Sequence, residues 1–176
     1  MKKHIFVATD GSDTAMKAVD LAAELAARFD VALTIGHVLQ FGRPSKELAR
    51  MADVEHIADT VRQTSKVDFE LLSGSGGGDI FASSRPSSDT VRAITLIGEE
   101  ILKRAADRAR ELGAKTVDTM SSDDDPADGI IDMAGKAGAD MIVVGHRGLG
   151  RIKSLILGSV AHKVNQNADC TVVTVR

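Results

Sequence analysis

Short apolar runs alternate with stretches of helical periodicity from one end of the chain to the other. Residues 3–9 form the first apolar run, which stops at Asp10-Gly11-Ser12. Ala15, Ala18, Val19, Ala22, Leu25, Ala26 and Phe29 then recur at helical spacing, with Ser12 or Asp13 as the expected cap and Asp30 as the stop. Residues 31–39, 115–120, 139–144 and 171–175 read as further strands. Helices are expected over 45–65, over 91–112 with Gly113 as C-cap, from Pro126 to near Gly138, and over 159–167. A strand that is always followed by a helix returns parallel to its predecessor. The expected fold is therefore α/β, a doubly wound five-stranded parallel sheet with helices on both faces.

The length of 176 residues fits one domain with a sizeable core. Ser73-Gly74-Ser75-Gly76-Gly77-Gly78-Asp79 and the Ser/Pro-rich residues after it read as a flexible loop at about 73–88. Neither flank of that loop has enough strands for a core of its own, so residues 1–176 are expected to form a single domain. With five Phe and no Trp or Tyr, the core must be built from Ala, Val, Ile and Leu. The same scarcity argues against base-stacking platforms for single-stranded nucleic acid. A net charge of −3 gives no basic footprint for nucleic acid either. No apolar run is long enough to cross a bilayer, and the first is too short for a signal peptide. Cys170 is the sole cysteine, which excludes a disulfide within the chain; a reducing cytoplasm is the expected compartment.

The segment with chemical content runs from Val143 to Val160. It leaves a buried strand at Gly145, passes His146, Arg147, Gly148 and Gly150, and enters a helix at Gly158-Ser159. Glycines in such a place permit positive φ and close approach of backbone to ligand. The free N–H groups of a helix N-terminus attract phosphate. The Ser159 hydroxyl either caps the helix or touches a phosphate. Arg147, Arg151 and Lys153 add positive charge, though each alone reads equally as a solvated surface group. Singly, these glycines are ordinary loop residues; as an ordered set between a strand and a helix they point to phosphate binding.

The spacing Gly145, two residues, Gly148, nine residues, Gly158-Ser159 resembles the ATP-binding branch of the universal stress protein family. Ala8-Thr9-Asp10-Gly11-Ser12 is similar to that family's opening strand and adenine loop. His37-Val38 resembles the end of its second strand, Pro126-Ala127 with Ile130, Ile131 and Ala134 its third helix, and residues 168–175 its closing strand. The likeness spans nearly the whole chain except about residues 65–90.

The resemblance implies strand order 3-2-1-4-5, with the ligand crevice outside the carboxyl ends of the first and fourth strands. It implies that Ala8, Thr9 and Asp10 flank the adenine, with Asp10 on its amino group and Val38 on its edge. Gly145, His146 and Arg147 would pass the ribose and first phosphates, and Gly148, Gly158, Ser159 and Val160 would hold the phosphate chain. On sequence alone Asp10 reads equally as a turn residue before Gly11. The implied cofactors are ATP and a Mg2+ or Mn2+ ion held by phosphate oxygens and water, with no protein ligand to the metal. Three positions depart from the pattern: His146 stands where the family has a small residue, Thr171 where it often has proline, and Asp125 where it often has glycine.

Other signals carry less. The glycine run at 74–78 superficially suggests a pyrophosphatase phosphate loop, but it enters Ser/Pro-rich sequence rather than a helix, and no Gly-Lys-Ser/Thr is present. His4, His37, His56, His146 and His162 show no metal-ligand spacing, and each reads as a surface or edge residue. Cys170 reads as packing. Asp123-Asp124-Asp125 read as acids opposing a helix dipole rather than as a metal site.

The expected function is that of an ATP-binding regulatory or stress-response protein acting through an unknown partner. No base, nucleophile or arginine finger accompanies the phosphate segment, so no catalytic residue is assigned. The alternatives are a slow ATPase or self-phosphorylating enzyme on the same fold, and an interaction module with an empty cleft. The closing strand Thr171–Val175 is all β-branched and uncharged, and a homodimer through it is expected. The resemblance favours the same interface.

Overall fold

The computed structural model describes residues 3–41, 88–148 and 158–176. The helix expected over 45–65, the glycine- and serine-rich residues 73–87, and residues 149–157 with Arg151 and Lys153 lie outside them. The described elements are β1 (His4–Ala8), α1 (Asp13–Phe29), β2 (Ala32–Val38), α2 (Ser88–Glu111), β3 (Val117–Ser122), α3 (Pro126–Lys136), β4 (Met141–Gly145), α4 (Ser159–Asn167) and β5 (Thr171–Val175).

All strand pairs are parallel, in the order β3-β2-β1-β4-β5. β1 lies at the centre, with Phe6 opposite Thr34 on one side and Ile142 on the other. Side chains alternate across the pleat, so consecutive residues feed two different cores. Ile5, Val7, Leu33, Ile35 and Val143 pack beneath α1 and α2. Phe6, Ile142 and Val144 pack beneath α3 and α4. The first core is closed by small residues: Ala18, Ala22 and Ala26 of α1 and Ala105 and Ala109 of α2 are all essentially inaccessible. Alanine lets these helices lie close to the sheet and to each other, which explains how a chain so poor in aromatics excludes water.

Local signals set the ends of α1. The Ser12 hydroxyl accepts from the Ala15 N–H at 3.3 Å, while Asp30 adopts a left-handed φ of 53° and its N–H bonds the Ala26 carbonyl. Asp125 caps α3 through a 3.2 Å bond from the Ala127 N–H, with Pro126 in the first turn. Arg108 on α2 forks onto Asp20 of α1 at 2.8 and 3.2 Å. Those hydrogen bonds and the Asp20 charge raise the Arg108 pKa above its ordinary value. The pair is solvent-exposed, so it orients the two helices more than it stabilises them.

Two expectations need correction. The third strand was expected over 115–120 but runs from Val117 to Ser122, because it pairs residue by residue with Leu33–Val38. Ser121 and Ser122 are carried into the strand by backbone pairing at the sheet edge, not by apolarity. Gly145, expected to begin the loop, is the last residue of β4 and pairs with Val175.

Candidate functional site

The chain leaves β1 toward β2 on one side and leaves β4 toward β5 on the other. The connections therefore diverge between β1 and β4, and a crevice opens at the carboxyl ends of those strands. A cleft of about 260 Å³ occupies this place. Ala8, Thr9, Asp10, Val38, Gly145, His146, Arg147, Gly148, Gly158, Ser159 and Val160, the residues singled out in the sequence, all line it.

The Thr9–Ser12 turn is held from several directions. The Thr9 N–H continues the ladder to the Gly36 carbonyl at 2.9 Å, and its hydroxyl accepts from the Gly11 N–H at 3.2 Å. Gly11 takes a φ of 79°, a conformation that favours glycine. Asp10 Oδ1 accepts from the Ser12 N–H at 3.1 Å and from the Ser12 hydroxyl at 2.6 Å. Asp10 is thus a turn residue in fact, and its other oxygen, Oδ2, faces Gly148 across the cleft.

The motif glycines serve space rather than backbone conformation. None of Gly145, Gly148 and Gly158 has a positive φ, contrary to one reason expected for them. A Cβ on Gly145 would stand 3.0 Å from the Arg147 carbonyl oxygen and 3.2 Å from the Ala15 nitrogen. One on Gly158 would stand 3.2 Å from the His146 carbonyl oxygen, and one on Gly148 would overlap the Asp10 carboxylate. Side chains at these positions would fill the cleft or push its walls apart.

The start of α4 also differs from one alternative. Gly158 is the N-cap and makes no side-chain cap bond, so Ser159 stands one position inside the helix and does not cap it. The first-turn N–H groups of α4 carry no intrahelical partner, and the helix presents them, with Ser159 and Val160, at the cleft wall. Arg147 and Asp10 line the cleft as well, with Asp10 close to Gly148. Val38, Pro126, Ile130 and Val144 make part of the wall apolar.

The cleft also has lining residues that the sequence did not assign to it, Ala15, Gly36, His37, Val144 and Ala161 among them. Gln40, Pro126 and Ile130 line the cleft, although only Pro126 and Ile130 had any sequence signal, lying one helical turn apart on one face of α3. His37 was expected at a surface or edge, but it is only 2% exposed. Its Nδ1 stands 2.8 Å from the Thr9 carbonyl oxygen, which can only accept, so Nδ1 carries a proton. Gly98 of α2 makes room for this ring: a Cβ there would stand 3.0 Å from His37 Cδ2. Among the described residues no group of three or more His, Cys, Asp or Glu could hold a metal ion, and no helix is long and apolar enough to cross a membrane.

Comparison with known proteins places this geometry in context. A family model described as the universal stress protein family matches residues 1–176. The chain is 32% identical over 181 aligned positions to universal stress protein YxiE of Bacillus subtilis, covering 100% of both chains. It is 32% identical to universal stress protein Rv1636 of Mycobacterium tuberculosis, covering 98% of this chain and 95% of that one. Among solved structures, universal stress protein UspA from Lactobacillus plantarum superimposes with a TM-score of 0.69 at 21% identity, covering 100% of this chain and 99% of that one. A universal stress protein from Archaeoglobus fulgidus in complex with dAMP gives a TM-score of 0.59 at 23% identity, covering 99% and 98%. At these identities the solved structures speak to the fold.

Proposed function

The chain belongs to the universal stress protein family, and we propose that it is an ATP-binding member that regulates a partner according to nucleotide occupancy. The observation that carries this reading is the convergence of three glycines, the uncapped start of α4 and Asp10 on one cleft, at the place where doubly wound sheets bind ligands. The apolar wall of Val38, Pro126 and Ile130 would take the adenine, with Ala8 and Thr9 beside it and Asp10 Oδ2 accepting from its amino group. Gly145, His146 and Arg147 would pass the ribose and first phosphates. Gly148, Gly158, Ser159 and Val160 would receive the remaining phosphates, their N–H groups and the helix dipole opposing the negative charge. A Mg2+ or Mn2+ ion would sit on phosphate oxygens and water. A protein of this fold has been solved with dAMP, which makes an adenine nucleotide the first ligand to test.

The same reading includes a homodimer through β5, an edge strand with one unpaired side among the described residues. The test of ligand identity is mass spectrometry of whatever small molecules are released when the purified protein is denatured. ATP or ADP at a substantial fraction of the chain concentration supports the proposal. Stoichiometric release of a guanine nucleotide or of a non-nucleotide ligand contradicts it.

A further inference from the structure

His146 makes three contacts at the start of the glycine segment. Its backbone N–H donates to the Val175 carbonyl at 2.6 Å. Its ring Nδ1 lies 3.1 Å from the same oxygen. Its own carbonyl accepts from the Gly158 N–H at 2.7 Å. One residue thus ties the first part of the glycine loop to the last residue of β5 and to the N-cap of α4. Gly158 is the only side-chain-free answer at the third point, since a Cβ there would press on the His146 carbonyl.

We infer that His146 is the positioning residue of the phosphate-facing loop. It fixes Gly145–Gly148 against Gly158 by gripping the Val175 carbonyl with both its backbone and its ring. A small residue would keep the backbone bond and lose the ring bond. The loop would then be held at one point on β5 instead of two, and more of its order would have to come from the ligand at a cost in affinity. Because a carbonyl only accepts, the grip requires the proton on Nδ1 in the neutral ring. The role rests on the nucleotide reading of the cleft, while the tautomer does not.

Two measurements test it. Long-range proton–nitrogen spectra of the ligand-free protein at neutral pH should show His146 with Nδ1 protonated; a ring protonated only at Nε2 overturns the inference whatever the cleft binds. Calorimetry with ATP should then show His146→Ala binding on the order of tenfold more weakly, about the effect of one hydrogen bond. His146→Asn carries an amide nitrogen where Nδ1 stood and should recover most of that loss, which a purely volumetric role of the ring would not produce. Equal affinity for the native protein and His146→Ala overturns the positioning role and leaves ATP binding intact. Equal weakening in both variants also overturns it. No binding by the native protein ends the nucleotide reading itself, and this role with it.

Discussion

The Asp10 carboxylate and Gly148 face each other with no room for a side chain between them: a Cβ on Gly148 would fall on Asp10 Oδ2. The two residues are far apart in sequence and meet because β1 and β4 are neighbours in the sheet. Gly148→Val should therefore act twice, filling the cleft and driving Asp10 from its place. We expect ATP affinity to fall by about 2 kcal/mol or more, the scale of an overpacked contact, while the fold is retained. Calorimetry with circular dichroism checks both. A folded Gly148→Val protein with native affinity would remove this glycine from the site.

Asp10 has a structural duty and a proposed ligand duty on different oxygens. Oδ1 holds Ser12, the cap of α1, and Oδ2 faces the cleft. Asp10→Ala should lose stability by about 1–2 kcal/mol through the loosened turn and cap. Asp10→Asn can keep the Oδ1 bonds and replace the second oxygen with a donor. It should melt close to the native temperature yet lose its preference for ATP over GTP. An asparagine variant with unchanged preference would leave Asp10 a turn residue only.

Gly36 and Phe6 make a sharp test of the fold. They are diagonal neighbours across β1 and β2, Gly36 lying opposite Ala8, and a Cβ on Gly36 would overlap the Phe6 ring, which is fully buried. Gly36→Ala should cost about 1–3 kcal/mol or more of stability as the ring is forced aside. A melting temperature equal to the native value would mean that these two residues do not meet as described.

These contacts show which parts of the molecule were legible beforehand. Alternation of apolar runs with helical periods fixes the class, since a parallel sheet buried on both faces needs continuous apolar strands such as Ile142-Val143-Val144. The ends of α1 are local chemistry: Asp30 reads directly as its stop, and Ser12 as one of two candidate caps, whereas Asp125, the cap of α3, reads only as an acid opposing the dipole. The edge strand is not local: Ser121 and Ser122 are polar, and only their partners His37 and Val38 make them strand. His37 was misplaced for a related reason. A histidine ending an apolar run resembles an edge residue until the Thr9 carbonyl that it pairs with and the Gly98 gap that receives it are both in view. The glycines line the cleft, but steric room, not φ, is what they supply. Periodicity has no means of telling the two apart.

That histidine yields a prediction of its own. His37→Leu roughly keeps the buried volume but strips the Thr9 carbonyl of its donor. Stability should drop by about 1–3 kcal/mol. ATP affinity should drop as well, because Thr9 leads directly into Asp10. Native stability in this variant would show the buried bond to be dispensable.

The proposed dimer is checked at the outer edge of β5. Thr171 opens that strand and is exposed. The native protein should sediment as a dimer at micromolar concentration, and Thr171→Lys should weaken it, since lysine on an edge opposes strand addition. A native monomer, or a variant dimer as tight as the parent's, would rule out this interface.

Everything proposed for this chain rests on the cleft between β1 and β4 being an ATP site built by Gly145, Gly148 and Gly158. Calorimetric titration of the native protein and of Gly158→Val with ATP and GTP, in Mg2+, tests it most directly. We expect saturable binding of one ATP per chain, GTP weaker by about tenfold or more for want of the contact at Asp10, and no measurable ATP binding by the folded Gly158→Val variant. No saturable ATP binding by the native protein, or equal binding by Gly158→Val, would contradict it.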